Sequence, residues 1–438
     1  TVLVVFTGFM FSQDYVGSQQ CGMCHPDKLA DWNDSGHPYK FNVVDNGNPP
    51  QYPNFVENFQ DGWMLGLGSE WSEVSGVIGG FGWKARFVDH TGVIAGTASS
   101  LINPGEGHNQ FNFYGGEEHG WADYHADDVD KKYNYSCFRC HTTGPADEGS
   151  WIDGQELGTF QEQGVGCEAC HGPGAEHGQF GSPHLGDPDY IDIVYEFDIN
   201  YGNGLNGVQA DPDGNDVNFL CGTCHNRNFA EAIDASGGFI KHHEQWDEMQ
   251  TWNDMGAHDY MTCISCHDPH KRTVWDGDAI TMQCQTCHPT HITNNNHPAE
   301  LNCIDCHMAY AAKSGTTRGE SGYKGDVRSH LLKITASSES MFTEDGSFVR
   351  DDETRAASLD IQHACLGCHN DSPEDNIPNK TADELVLFAS SLHDDTDDEY
   401  VGSATCWACH TENYNDWNDS GHPYKFNVIE DKDRKSVV

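Results

Sequence analysis

The sequence predicts a mainly α chain with much loop, its short helices wrapped around something other than an apolar interior of its own. A small antiparallel β element is expected in the N-terminal third. Three observations predict this. All 18 Cys fall into nine C-x-x-C-H strings. Hydrophobic residues make up only 37% of the 438 residues, against 47 Gly, a composition too thin in Leu, Ile, Val and Phe for a large conventional core. One stretch, FGWKARFVD at 81–89, alternates apolar and charged residues with a period of two.

The nine strings are Cys21/Cys24/His25, Cys137/Cys140/His141, Cys167/Cys170/His171, Cys221/Cys224/His225, Cys263/Cys266/His267, Cys284/Cys287/His288, Cys303/Cys306/His307, Cys365/Cys368/His369 and Cys406/Cys409/His410. This spacing is the attachment signature of c-type haem. Two thiols add to the vinyl groups at one porphyrin edge, and the adjacent imidazole meets the iron from one face. Disulfide frameworks and zinc sites also use C-x-x-C, but neither requires a His after every second Cys, and here all nine have one. The strings therefore predict nine covalent haem c groups, with the nine His as proximal ligands. Closely packed haems then supply the missing apolar surface, and the chain is expected to be unfolded without them.

Acidic residues number 69 against 23 basic, a formal net charge of −46. Such a balance excludes nucleic acid and anionic membrane surfaces as partners. It suits cationic partners and divalent cations, with Ca2+ as a candidate second cofactor. Residues 1–11, TVLVVFTGFMF, are apolar but too short to cross a bilayer. Residues 1–14 read as the remnant of a secretory signal peptide, in keeping with haem attachment outside the cytoplasm. The expectation is an exported protein, periplasmic or extracellular, and not an integral membrane protein.

Residues 15–43 align without gaps to 400–428, with 20 of 29 positions identical and DWNDSGHPYKFNV repeated letter for letter. The repeat and the motif spacing divide the chain into a first haem module at 15–50, a haem-free β-containing insertion at 51–130, a seven-haem body at 131–399, and a second copy of the first module at 400–438. That second copy is expected to open a further stretch which the sequence cuts short.

In the insertion, Trp83, Ala85 and Phe87 share one face of a strand over 81–89, with Lys84 and Arg86 on the other. HTG at 90–92 then forms a turn, 93–97 a return strand and 110–114 a third. Pro26 suits a first helical position and Gly36 a C-terminal cap, so 24–35 is expected as one helix with His37 just past its end. The same pattern recurs at 409–420 with His422. A last helix over 381–393, with Leu385, Phe388 and Leu392 at helical spacing, is expected to close over the haem at His369.

Function turns on the second face of each iron. Of the 26 His, 17 remain after the proximal set. At about 1.5 Å per helical residue, His37 lies roughly 18 Å from His25, so it is expected to serve a neighbouring haem. His270, only three residues after His267, is expected to do the same. The distal candidates are His37, His125, His177, His243, His258, His270, His297, His330, His363, His393 and His422. By contrast His90, His108, His119, His184 and His242 read as surface polar groups. Met ligation would raise the potential, but Met308, directly after His307, is badly placed for it.

With these residues the chain resembles the multihaem c-type cytochromes of the doubled-CxxCH class, related to the octahaem hydroxylamine oxidoreductase and pentahaem nitrite reductase superfamily. YVGS-x2-CxxCH-x6-W-x2-SGH at 15–37, GVGCEACHGPGAEH at 164–177, HHEQ at 242–245, CISCHDPH at 263–270, CIDCHM at 303–308 and RSHLLKI at 328–334 carry the resemblance. Reductases of that group usually hold a C-x-x-C-K at the catalytic haem, and this sequence has none. The expected function is electron transfer along mostly bis-His haems in periplasmic or extracellular respiration. Other redox proteins, copies of the same chain in a filament or tandem array, and extracellular electron acceptors are the expected partners. The alternative is an octahaem-type oxidoreductase acting on a small nitrogen or sulfur compound at one open haem. The surplus of His and the missing C-x-x-C-K favour the carrier, so no catalytic residue is assigned.

Overall fold

A computed structural model describes residues 15–53, 57–113, 120–191, 217–227, 232–252, 255, 258–259, 261–273, 277–288, 301–318, 322–370, 377–389 and 417–420. Its helices are short: α1 (Ser18–Cys24), α2 (Pro26–Asp34), α3 (Glu57–Leu67), α4 (Tyr135–His141), α5 (Cys167–His171), α6 (Ala175–Gly178), α7 (Val217–Gly222), α8 (Gln245–Gln250), α9 (Cys263–Cys266), α10 (Cys303–His307) and α11 (Ala382–Ala389). Most motif helices are a turn or two long, because a spacing of three places both cysteines of a motif on the same helix face. Several begin at a polar cap just before the first Cys. Asn134 accepts from the Ser136 N–H ahead of α4, and Thr262 and Asn302 form capping boxes with Ser265 and Asp305.

The expected helix over 24–35 is two helices. The chain breaks at His25, whose φ of −119° and ψ of 57° are not helical. Pro26 is the cause, since its ring disfavours the α conformation in the residue before it. It then opens α2 at the first helical position, as expected.

A five-stranded antiparallel sheet has the order β1 (Phe41–Val43), β2 (Val74–Gly79), β3 (Lys84–Asp89), β4 (Gln110–Asn112) and β5 (Gly120–Ala122). Val77 pairs with Phe87, Ala85 with Phe111, and Phe111 with Trp121. The period-two reading of β3 holds, with Ala85 and Phe87 fully buried. They pack with Trp63, Leu67, Val77 and Phe113, so α3 covers this face of the sheet. The expected return strand over 93–97 does not form. Val93 and Ile94 make only isolated bridges, to Lys132 and Val88, because Gly92 and Gly96 hold positive φ values of 82° and 75° that bend the chain away.

Two smaller sheets tie loops together. β6 (Thr142–Thr143) pairs with β7 (Glu162–Gln163), while β9 (Phe239–Lys241) lies between β8 (Ala235–Ser236) and β10 (Ala312–Lys313). A second apolar cluster, centred on Ile240, Leu331, Met341 and Leu359, packs beneath the latter. Long-range polar contacts join the first motif to the third. Glu168, buried in α5, accepts from the Val16, Gly17 and Gly174 N–H groups, and Glu162 accepts from Ser18. Residues 377–380 lead into α11, and the Lys380 N–H donates to the His369 carbonyl. The rest of the helix expected over 390–393 lies outside the described residues. Among the described residues no helix is long and apolar enough to cross a membrane.

Candidate functional site

One cavity of about 2490 Å³ runs through the molecule and is lined by both cysteines and the His of the motifs at 21–25, 137–141, 167–171, 221–225, 263–267, 284–288 and 303–307, and by Cys365 of the eighth. No disulfide joins the described cysteines. Motifs approach one another by their thiols. The neighbouring Cys167 and then burial raise the Cys21 thiol. Cys140 Sγ lies 3.8 Å from the Thr223 carbonyl while Cys224 Sγ lies 3.3 Å from that of Arg139, a reciprocal contact between the second and fourth motifs.

The eighth motif differs from the other seven described motifs. Cys368 is exposed, and neither it nor His369 is among the cavity-lining residues, so only Cys365 of this motif faces the shared space. Gln362–Leu366 forms a π-helix, and from Cys365 onward the turn is α-type, with the His369 N–H donating to the Cys365 carbonyl at 2.9 Å as the motif His of the first, fourth, fifth and sixth motifs do to theirs.

Whether haem fits can be tested on the imidazoles. With metal–nitrogen bonds of about 2 Å and roughly 1 Å from nitrogen to ring centre, two rings on opposite faces of one iron lie about 6 Å apart. His25 and His177 are 6.3 Å apart and 14° from parallel, His171 and His270 6.3 Å and 14°, His258 and His288 5.8 Å and 9°, and His267 and His330 6.1 Å and 47°. Each pair joins a motif His to one from elsewhere in the chain, and the gap between the rings opens on the same cavity. The donor set and spacing fit bis-His haem. Several of these rings are oriented through Nδ1, by the Asp187 carbonyl at His177, Asp268 at His270 and the Met255 carbonyl at His258. Among the remaining motif His, His307 and His369 are held by the Leu332 and Pro378 carbonyls.

His225 has His243 at 5.7 Å, edge-on at 80°. His37 lines the cavity, and its imidazole, lowered to about 3 by burial and then by Lys40, also feels His225 and His270. Two distal candidates have other partners in this structure. His363 uses both ring nitrogens in hydrogen bonds, Nδ1 to Asp360 at 2.8 Å and Nε2 to the Gly238 carbonyl at 2.9 Å. His125 pairs with Asp128 at 2.8 Å and is not among the cavity-lining residues. His242, read as a surface group, instead lines the cavity beside His243, at 4.6 Å between rings. The doublet HH at 242–243 was the available signal. His297, His393, His422, Cys406, Cys409 and His410 lie outside the described residues.

Around His141 the surroundings differ. Among the described residues its ring neighbour is Tyr133 at 5.8 Å, and burial followed by Lys40, Arg86 and Lys84 lowers the imidazole to about 3. Lys40 and Arg86 line the cavity, together with Arg227, Arg272 and Tyr124. Burial and then Arg272 push the Lys40 amine down to about 8, and burial and then Arg86 hold Lys84 well below its ordinary value. Lys84 donates to the Ser314 carbonyl at 2.6 Å, and the Arg86 guanidinium sits 3.4 Å over the Tyr124 ring. Of the charged face of β3, Arg86 therefore lines the cavity, while Lys84 is held against the Ser314 carbonyl. In a chain with 23 basic residues, this convergence is a local reversal of sign. Among the described residues no group of three or more His, Cys, Asp or Glu is arranged to hold a further metal ion.

Residues 115–172, which include the second and third motifs, match the model of the cytochrome c554 and c-prime family. A stretch of 161 residues is 26% identical to the multiheme cytochrome MtrA of Shewanella baltica (strain OS185), covering 34% of this chain and 37% of that protein. The chain thus matches about a third of that curated relative's length. Among solved structures it is similar to the Wolinella succinogenes octaheme sulfite reductase MccA (TM-score 0.48, 15% identity, 80% of this chain and 65% of the other). It is also similar to the outer cell wall cytochrome OcwA (0.41, 16%, 84% and 86%) and to the undecaheme cytochrome from the S-layer of Carboxydothermus ferrireducens (0.38, 18%, 67% and 50%).

Proposed function

We propose that the chain, a multihaem c-type cytochrome, is an exported electron carrier holding nine haem c groups, most of them bis-His, for periplasmic or extracellular respiration. The imidazole pairs carry this reading. His25 with His177, His171 with His270, His267 with His330 and His288 with His258 each close both faces of one iron, which leaves no coordination position for a substrate. Haem supplies one-electron chemistry when bound. The chain's part is to hold, space and shield. His177, His258 and His270 each come from beside a motif other than the one they serve, so ligation itself keeps neighbouring sites close. The exposure of Cys24, Cys284 and Cys368 supports electron exchange with a partner near those attachment sites. Its partners are other redox proteins, further copies of the chain and extracellular acceptors. The near-identical lines at 15–43 and 400–428 support assembly into a tandem array or filament.

One observation favours a second reading. The buried cations Lys40, Lys84 and Arg86 gather at His141, where none of the described imidazoles stands in an axial pair. Such a site suits a small oxo-anion of nitrogen or sulfur at one open haem, held by charge in a dry cavity. In that case the sheet, through Arg86, is a binding module. Haem quantification per chain together with the ferric spectrum tests both readings. Nine haems, all low-spin and indifferent to cyanide or nitrite, support the carrier alone. A high-spin signal equal to one haem, altered by nitrite or sulfite, supports the open site. Anion binding there should weaken as pH rises through about 8, where Lys40 gives up its proton, and should be abolished by Lys40→Ala.

A further inference from the structure

The segment that carries His330 meets one short helix on three sides. Glu248 in α8 is 1% exposed. Its carboxylate accepts from Ser329 Oγ at 2.6 Å and from the His330 N–H at 3.0 Å. Trp252, just after α8, donates from its indole nitrogen to the His330 carbonyl at 2.8 Å. Both backbone polar groups of His330 are thereby tied to residues 248–252. Glu248 Oε2 also stands 3.7 Å from His330 Nδ1, beyond hydrogen-bond length but close enough to orient the ring electrostatically. His330 in turn faces His267 at 6.1 Å. A buried carboxylate is costly unless its oxygens are satisfied. Here the two donors that satisfy it are the groups that aim the ligand.

We propose that Glu248 is the positioning residue that holds His330 on the distal face of the haem attached at Cys263 and Cys266. The proposal rests on the His267/His330 pairing of the carrier reading. Glu248 does not touch the iron. It fixes the 329–331 backbone so that the imidazole stays seated, as outer-shell partners of metal-bound His do.

The test uses the full holoprotein, with haem content checked in every variant and cyanide as the probe for an opened iron. His330→Ala should expose one haem to cyanide; if it does not, the pairing is wrong and Glu248 is not at issue. Given that opening, Glu248→Ala should raise the rate of cyanide binding at the same haem at least tenfold. Glu248→Gln keeps a carbonyl oxygen to accept from the His330 N–H, with its amide nitrogen donating to Ser329 Oγ, and should restore near-wild-type inertness. If Glu248→Ala fails to accumulate, Trp252→Phe removes the other anchor and should speed cyanide binding in the same haem. An inert Glu248→Ala holoprotein beside an open His330→Ala one overturns the proposal. So does a Glu248→Gln variant as labile as Glu248→Ala, or, where Trp252→Phe stands in, its remaining inert.

Discussion

Asp360 shows what a single side chain decides in this molecule. It is wholly buried and accepts from His363 Nδ1, the His363 N–H and the Met341 N–H. Burial alone would raise its carboxyl, but the hydrogen bond and charge of His363, with those backbone donors, hold it below the ordinary range. A depressed carboxyl contributes stability that is present above its ordinary pKa and lost as pH falls through the folded value. Asp360→Asn leaves His363 buried with its charged partner removed, a change that costs about 3–5 kcal/mol where such pairs are broken. Denaturant unfolding of the holoprotein should show that loss at neutral pH and a smaller one in acid. An unchanged midpoint would show that the pair contributes nothing. The same pair occupies His363, a distal candidate, and no pattern in the letters announced it. HxC at 363–365 resembles a ligand approaching its motif until Asp360 and the Gly238 carbonyl, 125 residues away, are seen on both nitrogens.

Elements meet here through backbone contacts that leave no room for a side chain. Gly164 has φ 73°, and a Cβ there would run into the Pro38 carbonyl; next to it, the Val165 N–H donates to the His37 carbonyl at 2.9 Å. The seam joins the end of the first module to α5. Gly164→Ala should lower stability by at least about 1–2 kcal/mol from the left-handed conformation alone, and more from the clash. It should also alter the spectrum of whichever haem His37 serves, read by unfolding and by the ferric low-spin signals. Loss of stability with every haem signal unchanged would separate the seam from ligation. Local signals of this kind were legible: CxxCH as one helical turn at most motifs, Pro26 as a helix start and the alternation in β3 all follow from chemistry within a few residues. That Cys368 is not among the cavity-lining residues was not, because its motif's letters match those of the motifs that are. What else was not legible is nonlocal. Neither β2 nor β5 stands out by its letters, and only the assembled molecule puts a cavity beside Arg86. His242 was misjudged for the same reason.

At the scale of the whole molecule, charge and cavity oppose each other. The surface carries most of a net −46, while the cations that remain include a buried group around His141. Electron exchange with a cationic redox partner should therefore slow steeply as salt rises from low to physiological strength, because screening sets in over about 10 Å at 0.1 M. Stopped-flow rates against ionic strength measure this, and a flat profile would argue for docking through apolar contact. The β3 strand adds a different consequence. It comes from a stretch without a single CxxCH, is anchored by its own Trp63 and Phe87 core, and yet delivers Arg86 to the cavity wall. Its anchoring and its delivered charge can vary separately. Exchange or mutation of this one sheet can rewrite what the cavity admits while every covalent attachment and axial pair stays as it is, a route to new chemistry that leaves the wiring inherited intact.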